Sequence, residues 1–255
     1  MRAICTLAGR DLKSLLKSPM FYVIAGLCTL LWSYSYMRNL LEFADQSRMY
    51  MQPGMEAGMN IQRGVFLQHI SQINLLFIFV VPALTMRLIA EEKKMRTYDL
   101  LLTSPISATQ IALGKFLAGW GAIGVLTLIS FLYPLLTRLV ADYSVGPLLS
   151  AYLGVVLVSG AYVAVGIFAS SLTESIVLSV VMALIFNIML WFISQGSGGI
   201  SNPLLSAVME YLSMGQHFLN FILGSIKLKS LTFFISLIAL FVFLTQRVVE
   251  SSRWR

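Results

Sequence analysis

The chain has 255 residues, 58% of them hydrophobic and 11% charged, with a formal net charge of +7. Soluble domains carry about 25% charged residues. A water-facing surface cannot be built from so few charges, so most of this surface must face lipid. The basic residues stand at the ends of apolar runs instead of in a patch interleaved with aromatics, which reads as membrane topology and excludes nucleic acid as a partner.

In chain order, Ile4, Leu7, Leu12, Leu15 and Leu16 recur on one helical face, with Arg10, Lys13 and Lys17 largely off it. That pattern predicts a basic amphipathic helix over 2–18, lying in the membrane interface on Leu12, Leu15 and Leu16. Ser18-Pro19 then supplies a cap and a first-turn proline. The apolar run that follows is long, lacks a small-residue cleavage site and is closed by Arg38, so it is an uncleaved span and not a signal peptide. A hydrocarbon core about 30 Å thick takes roughly 20 apolar helical residues. By that measure the spans are 20–37, 70–89, 111–136, 145–169, 176–194 and 229–247. Ser107 with Gln110 has capping-box spacing before the third span, and Ser171 with Glu174 before the fifth. The fold class is an all-α integral membrane protein with six transmembrane helices.

Placing the N-terminus inside puts twelve basic residues on inner segments: Arg2, Arg10, Lys13, Lys17, Arg87, Lys93, Lys94, Arg96, Lys115, Arg247, Arg253 and Arg255. Six fall outside: Arg38, Arg48, Arg63, Arg138, Lys227 and Lys229. Both termini are therefore expected in the cytoplasm. Two outer segments are long. Residues 38–69 carry Met49, Met51, Met55 and Met59 near His69, which raises a Cu(I) site against the plainer reading of adaptable apolar packing. Residues 196–228 begin with a Gly-rich turn and an Asn202-Pro203 cap. Two short helices follow near 204–212 and 216–223, with Gly215 and Gly224 as stops. Too short to span, they are expected to re-enter the outer leaflet and form an outer gate from Pro203, His217, Phe218, Asn220, Phe221 and Gly224.

The spans are almost free of ionisable groups, which argues against a proton-coupled carrier. The two histidines are both expected on the outer side, and the two cysteines, Cys5 and Cys28, cannot form a metal cluster. No HExxH, GxSxG or GxxxxGK[ST] occurs, and Gly114-Lys115 lacks the upstream glycine of a phosphate loop. No catalytic or metal-binding residue is assigned. If ATP with Mg powers this protein, another chain binds it. Small residues recur at four-residue spacing in Gly114, Ala118 and Ala122, in Gly160 and Ala164, and in Gly166 and Ser170. They permit close helix approach, either within one bundle or across a dimer.

The connection between the second and third spans reads AEEKKMRTYDLLLTSPISATQIALGK. The charges Glu91, Glu92, Lys93, Lys94 and Arg96 precede Thr97, which starts a short helix over 97–104 with Asp99 in its first turn, and Pro105 ends it. Leu100, Leu101 and Leu102 have no lipid to enter on an inward-projecting loop and suit a groove on a soluble partner. The plainer reading folds this helix against the chain's own bundle.

This segment resembles the coupling-helix region of ABC-2-type transporter permeases. The matching positions are Glu91, Glu92, Lys93, Thr97, Asp99, Leu101, Leu102, Pro105, Gly114 and Lys115. The C-terminal part is similar to the gliding-motility-associated branch at Ser213, His217-Phe218, Asn220-Phe221, Gly224, Leu244-Thr245 through Glu250, and Arg253-Trp254. The resemblance implies a permease subunit in a bacterial inner membrane that pairs with a second permease subunit. Each would dock one ATP-binding subunit through Thr97, Tyr98, Asp99, Leu100, Leu101, Leu102, Thr103, Ser104 and Pro105. It also implies export, and an auxiliary subunit with a large periplasmic domain. A channel or carrier independent of ATP would leave the leucine triplet unexplained, and a non-transporting scaffold would not respond to nucleotide.

Overall fold

The computed structural model describes residues 2–50, 60–103, 105–199 and 202–253. Among the described residues there are ten α-helices: α1 Arg2–Lys17, α2 Pro19–Tyr50, α3 Leu67–Lys94, α4 Tyr98–Thr103, α5 Ala108–Thr137, α6 Val145–Leu172, α7 Ile176–Phe192, α8 Pro203–Leu212, α9 Met214–Ile222 and α10 Leu228–Ser251. Six are long and apolar enough to cross a membrane: α2, α3 with the π turn Gln62–Phe66 before it, α5, α6, α7 with the 3-10 turn after it, and α10. No strand occurs among the described residues.

Helix α6 is the axis, packed against α3, α5, α7, α9 and α10. Its central stretch, Val158 to Ile167, is buried throughout because small and β-branched residues bring neighbouring backbones close. Gly160 faces Trp120 and Ile238, Gly166 faces Thr85, and Gly119 faces Val163 and Leu88. The small-residue repeats therefore serve contacts within the chain. Exposed leucine, valine and phenylalanine side chains cover the outside of α2, α5, α7 and α10, as a lipid-facing surface requires.

Two prolines interrupt spans. Pro134 in α5 lacks the N–H that would bond the Ser130 carbonyl four residues back. Tyr152 Oη (2.9 Å) and His69 Nε2 (3.2 Å) donate to that carbonyl instead. A carbonyl can only accept, so His69 carries its proton on Nε2. The ring is fully buried among Trp32, Tyr36 and Tyr133. His69 is thus a packing and hydrogen-bonding residue inside the bundle. It is not a surface ligand beside a methionine loop, and residues 51–59 of that loop lie outside the described residues. Among the described residues no three His, Cys, Asp or Glu side chains are grouped to hold a metal.

Several boundaries differ from expectation. Much of 38–69 is helix rather than loop, since α2 continues to Tyr50 and α3 is approached from Gln62. The two stay in contact where Gly64 meets the Phe43 ring. Helix α7 is capped by Ser175, whose side chain accepts from Leu178 N, and not by Ser171. Ser171 is still inside α6 and donates to the Phe168 carbonyl. The Ser107–Gln110 capping box of α5 forms in both directions. Gly215 lies in the first turn of α9 and ends nothing; the break between α8 and α9 is at Ser213. Gly224, by contrast, adopts φ +80° just after α9 with Pro147 against it, as a C-terminal glycine should.

Candidate functional site: a charged collar at one end of the bundle

At one end of the bundle, α1, the last turn of α3, α4 and the first turns of α5 meet. Helix α1 lies along α5 on its apolar face. Leu7 sits over Gly114, where a Cβ would come within 2.8 Å of its Cδ2, and Leu12 sits over Gly121. Leu15 is buried and Leu16 packs at the edge of the core. Helix α1, expected to lie in the membrane interface on Leu12, Leu15 and Leu16, instead packs those residues against the bundle.

Beside Gly114, Lys115 is only 1% exposed. A buried ammonium is tolerated when it is paired. Its Nζ lies 2.9 Å from Asp11 Oδ2 of α1 and 2.5 Å from Glu92 Oε1 of α3. Arg10 reaches the same carboxylates, at 2.9 Å from Asp11 and 3.6 Å from Glu92. Four charges thus tie three helices together. Arg87 adds to this end by bonding Ser18 Oγ, at the junction of α1 and α2, and Glu91 at 3.5 Å. Sequence reasoning singled out Glu92 and Lys115 but missed Asp11. Its signal was present, because Asp11 falls midway between Leu7 and Leu15 on the buried stripe of α1, where a lone carboxylate needs a cation.

Helix α4 hangs from this collar. Tyr98, 4% exposed, and Leu101, 8% exposed, turn into the bundle. Lys93 Nζ stands 5.3 Å from the Tyr98 ring centroid and donates to the Ser171 carbonyl at 2.6 Å. Burial pushes the Tyr98 phenol up to about 12, opposed by the neighbouring Ser252 hydroxyl and by Arg253, and assisted by Glu92. Its hydroxyl makes no well-formed hydrogen bond. Arg253, past the end of α10, donates to the Ile106 carbonyl and holds the far side of the segment. Thr97 donates to Glu92 O and so does not cap α4 with its side chain. Leu100 is 73% exposed and Asp99 is also exposed, whereas Leu102 is half-buried. The leucine triplet is split: Leu101 belongs to the bundle and Leu100 alone projects fully. Pro105 follows on the exposed connection, and Ser104 lies outside the described residues.

At the opposite end, the residues expected to form an outer gate are mostly packed. His217 Nε2 donates to Tyr211 O at 3.0 Å, its Nδ1 lies 3.1 Å from Ser230 Oγ, and its ring stacks on Phe233. Burial lowers its pKa, and the Lys229 charge adds to the lowering against the Tyr211 hydrogen bond. Asn220 Nδ2 donates to the same Ser230 hydroxyl at 3.3 Å. Phe218 and Phe221 are buried, with Phe221 set against Gly154 and its carbonyl accepting from Ser150. These residues join α9 to α6 and α10. Pro203 and the rest of α8 expose their apolar side chains.

Six apolar spans with a short helix suspended from a charged collar define a multi-pass membrane protein. Residues 5–253, nearly the whole chain, match the ABC-2 family transporter protein family, and the chain belongs to that family. A search among curated proteins found no match.

Proposed function

We propose that this chain is the membrane-spanning permease subunit of an ABC-2 transporter, driven by ATP hydrolysis on a separate ATP-binding subunit that docks on α4. The observation that carries this reading is Leu100, exposed on a helix whose Tyr98 and Leu101 are rooted in the bundle. A helix held on one side and apolar on the other can receive a partner and transmit its movement. The charge ties from α4's base through Glu92 and Lys115 to Asp11 give a push on α4 a direct route into α3, α5 and α1. Energetically, closure of the ATPase dimer must favour one arrangement of the spans over the other.

In this reading α4 and both termini face the cytoplasm of a bacterial inner membrane, two permease subunits pair, and movement is outward. ATP and Mg belong to the partner, since this chain has no phosphate loop. The similarity of the α9–α10 region to gliding-associated permeases favours an auxiliary subunit with a large periplasmic domain. The test is ATP turnover by the reconstituted complex. Leu100→Asp is expected to abolish permease-stimulated turnover and Leu100→Met to retain it, while full stimulation with Leu100→Asp contradicts docking on α4.

A further inference from the structure

On the side of α4 away from α1, a cleft of about 950 Å³ opens between the end of α3, α4 and the first turn of α7. Lys93, Lys94 and Arg96 line one wall, and Ile176 and Val177 of α7 line another. Lys93 is engaged by the Ser171 carbonyl and the Tyr98 ring. Lys94 and Arg96 are exposed, and among the described residues no carboxylate stands within 4.0 Å of either. Asp99 and Glu174 also line the cleft, so its charges do not cancel but leave a small positive excess. Tyr98, nearly fully buried, lines the same wall with its hydroxyl beside that of Ser252.

Arg96 is a residue that the fold does not favour at its position. It adopts φ 56°, in the left-handed region, and it alone does so among the described non-glycine residues. The position closes α3 in a Schellman arrangement, with Arg96 N bonded to Lys93 O and Thr97 N to Glu92 O. Glycine is the residue that this geometry favours, and an L side chain there is strained. The side chain carried at this glycine-like position, that of Arg96, lines the cleft.

Beyond the cleft, Val177, Val181, Ile185, Met189 and Phe192 form an exposed apolar ridge along α7. At 1.5 Å per residue it runs for about 22 Å, longer than one leaflet's acyl region. Cations at the mouth of a cleft and an apolar ridge leading away from it match an amphiphile. We propose that Lys94 and Arg96 bind the phosphate of a membrane phospholipid whose acyl chains lie along the α7 ridge. The inference rests on the membrane-spanning reading and is independent of docking on α4, so ATP turnover is not its readout.

The experiment uses the full chain in a neutral detergent, titrated with dioleoylphosphatidylglycerol and followed by native mass spectrometry. The wild type is expected to retain the lipid, and Arg96→Gly and Lys94→Gln to weaken retention at least about tenfold each, the loss of one charge-assisted contact. The double variant should lose it, and Arg138→Gln should not. Arg96→Gly relieves backbone strain, so its thermal midpoint should equal or exceed that of the wild type, separating lost binding from lost folding. Dioleoylglycerol, which has the chains without the phosphate, should not be retained. Wild-type retention by the double variant overturns the proposal, as does equal retention of dioleoylglycerol. Displacement of the lipid by equimolar inorganic phosphate would make the cleft a free-phosphate site, and displacement by a soluble protein that binds Lys94 and Arg96 would make it a protein-docking surface; either result replaces the proposal.

Discussion

At the scale of single residues, Lys115 concentrates the energetics of the charged end. Its ammonium is buried against Asp11 and Glu92, so Lys115→Met leaves two carboxylates facing each other with only the more exposed Arg10 beside them. Removing one partner from a buried ionic cluster costs about 3–5 kcal/mol, whereas replacing all members by neutral groups of similar size is far milder. Thermal unfolding in detergent should show Lys115→Met strongly destabilised and the triple change with Asp11→Asn and Glu92→Gln largely restored. Equal destabilisation of both would mean that the contacts are incidental. Leu101→Asp is expected to destabilise the fold by placing a charge in the bundle, while Leu100→Asp leaves the unfolding midpoint unchanged. His217 provides a pH dependence with a definite sign. Its pKa lies below the ordinary 6.5 when folded, so the unfolded chain takes up the proton first as pH falls. Its contribution is therefore complete above the ordinary value and is lost on acidification. Hydrogen-exchange protection factors across 203–224, which remove the intrinsic pH dependence of exchange, should fall as pH drops below about 6.5 in the wild type and less so in His217→Gln.

At the scale of elements, α1 is fixed to α5 by two close approaches. Gly114→Val would push a branched side chain into Leu7, and Leu7 cannot retreat without lifting α1 from α5. Limited proteolysis should cleave this variant within residues 2–17 while the six spans stay intact; an unchanged pattern would show that α1 accommodates the clash. Helix α1 was legible in the sequence because its leucines keep a helical period, and the spans because apolar runs near 20 residues have one physical explanation. The extension of α2 beyond Arg38 was not legible, since apolarity marks where lipid ends and not where a helix ends. There Arg38 pairs with Glu42 at 3.4 Å and Asp45 with Arg48 at 3.9 Å, one turn apart along the surface. The start of α7 was missed for another reason. Ser171 with Glu174 has the better cap spacing in sequence, but Ser171 is buried against α6's own backbone, which leaves the cap to Ser175. The Asp11–Lys115 contact joins distant segments, and only the sequence position of each charge on an apolar stripe pointed to it.

At the scale of the molecule, the internal packing around α6 and the exposed outer faces of α2, α7 and α10 describe a bundle that folds as one body within lipid. Its two ends differ. One holds α8 and α9 over α6 and α10 with neutral hydrogen bonds and aromatic stacking, and the other collects the carboxylates and cations that join α1, α3 and α5. An end built from ionic contacts among three helices, with α4 rooted in it through Tyr98 and Leu101, can shift as a unit when α4 is displaced, which is what a motor bound outside the membrane requires. The central claim is that such a motor exists as a separate chain. The most direct measurement is to purify the tagged protein in mild detergent, with and without ATP, and identify the chains that accompany it by mass spectrometry. The account predicts a soluble ATP-binding subunit that is present with the wild type and absent with Leu100→Asp. A protein that purifies alone and moves solutes across vesicles without nucleotide would contradict it.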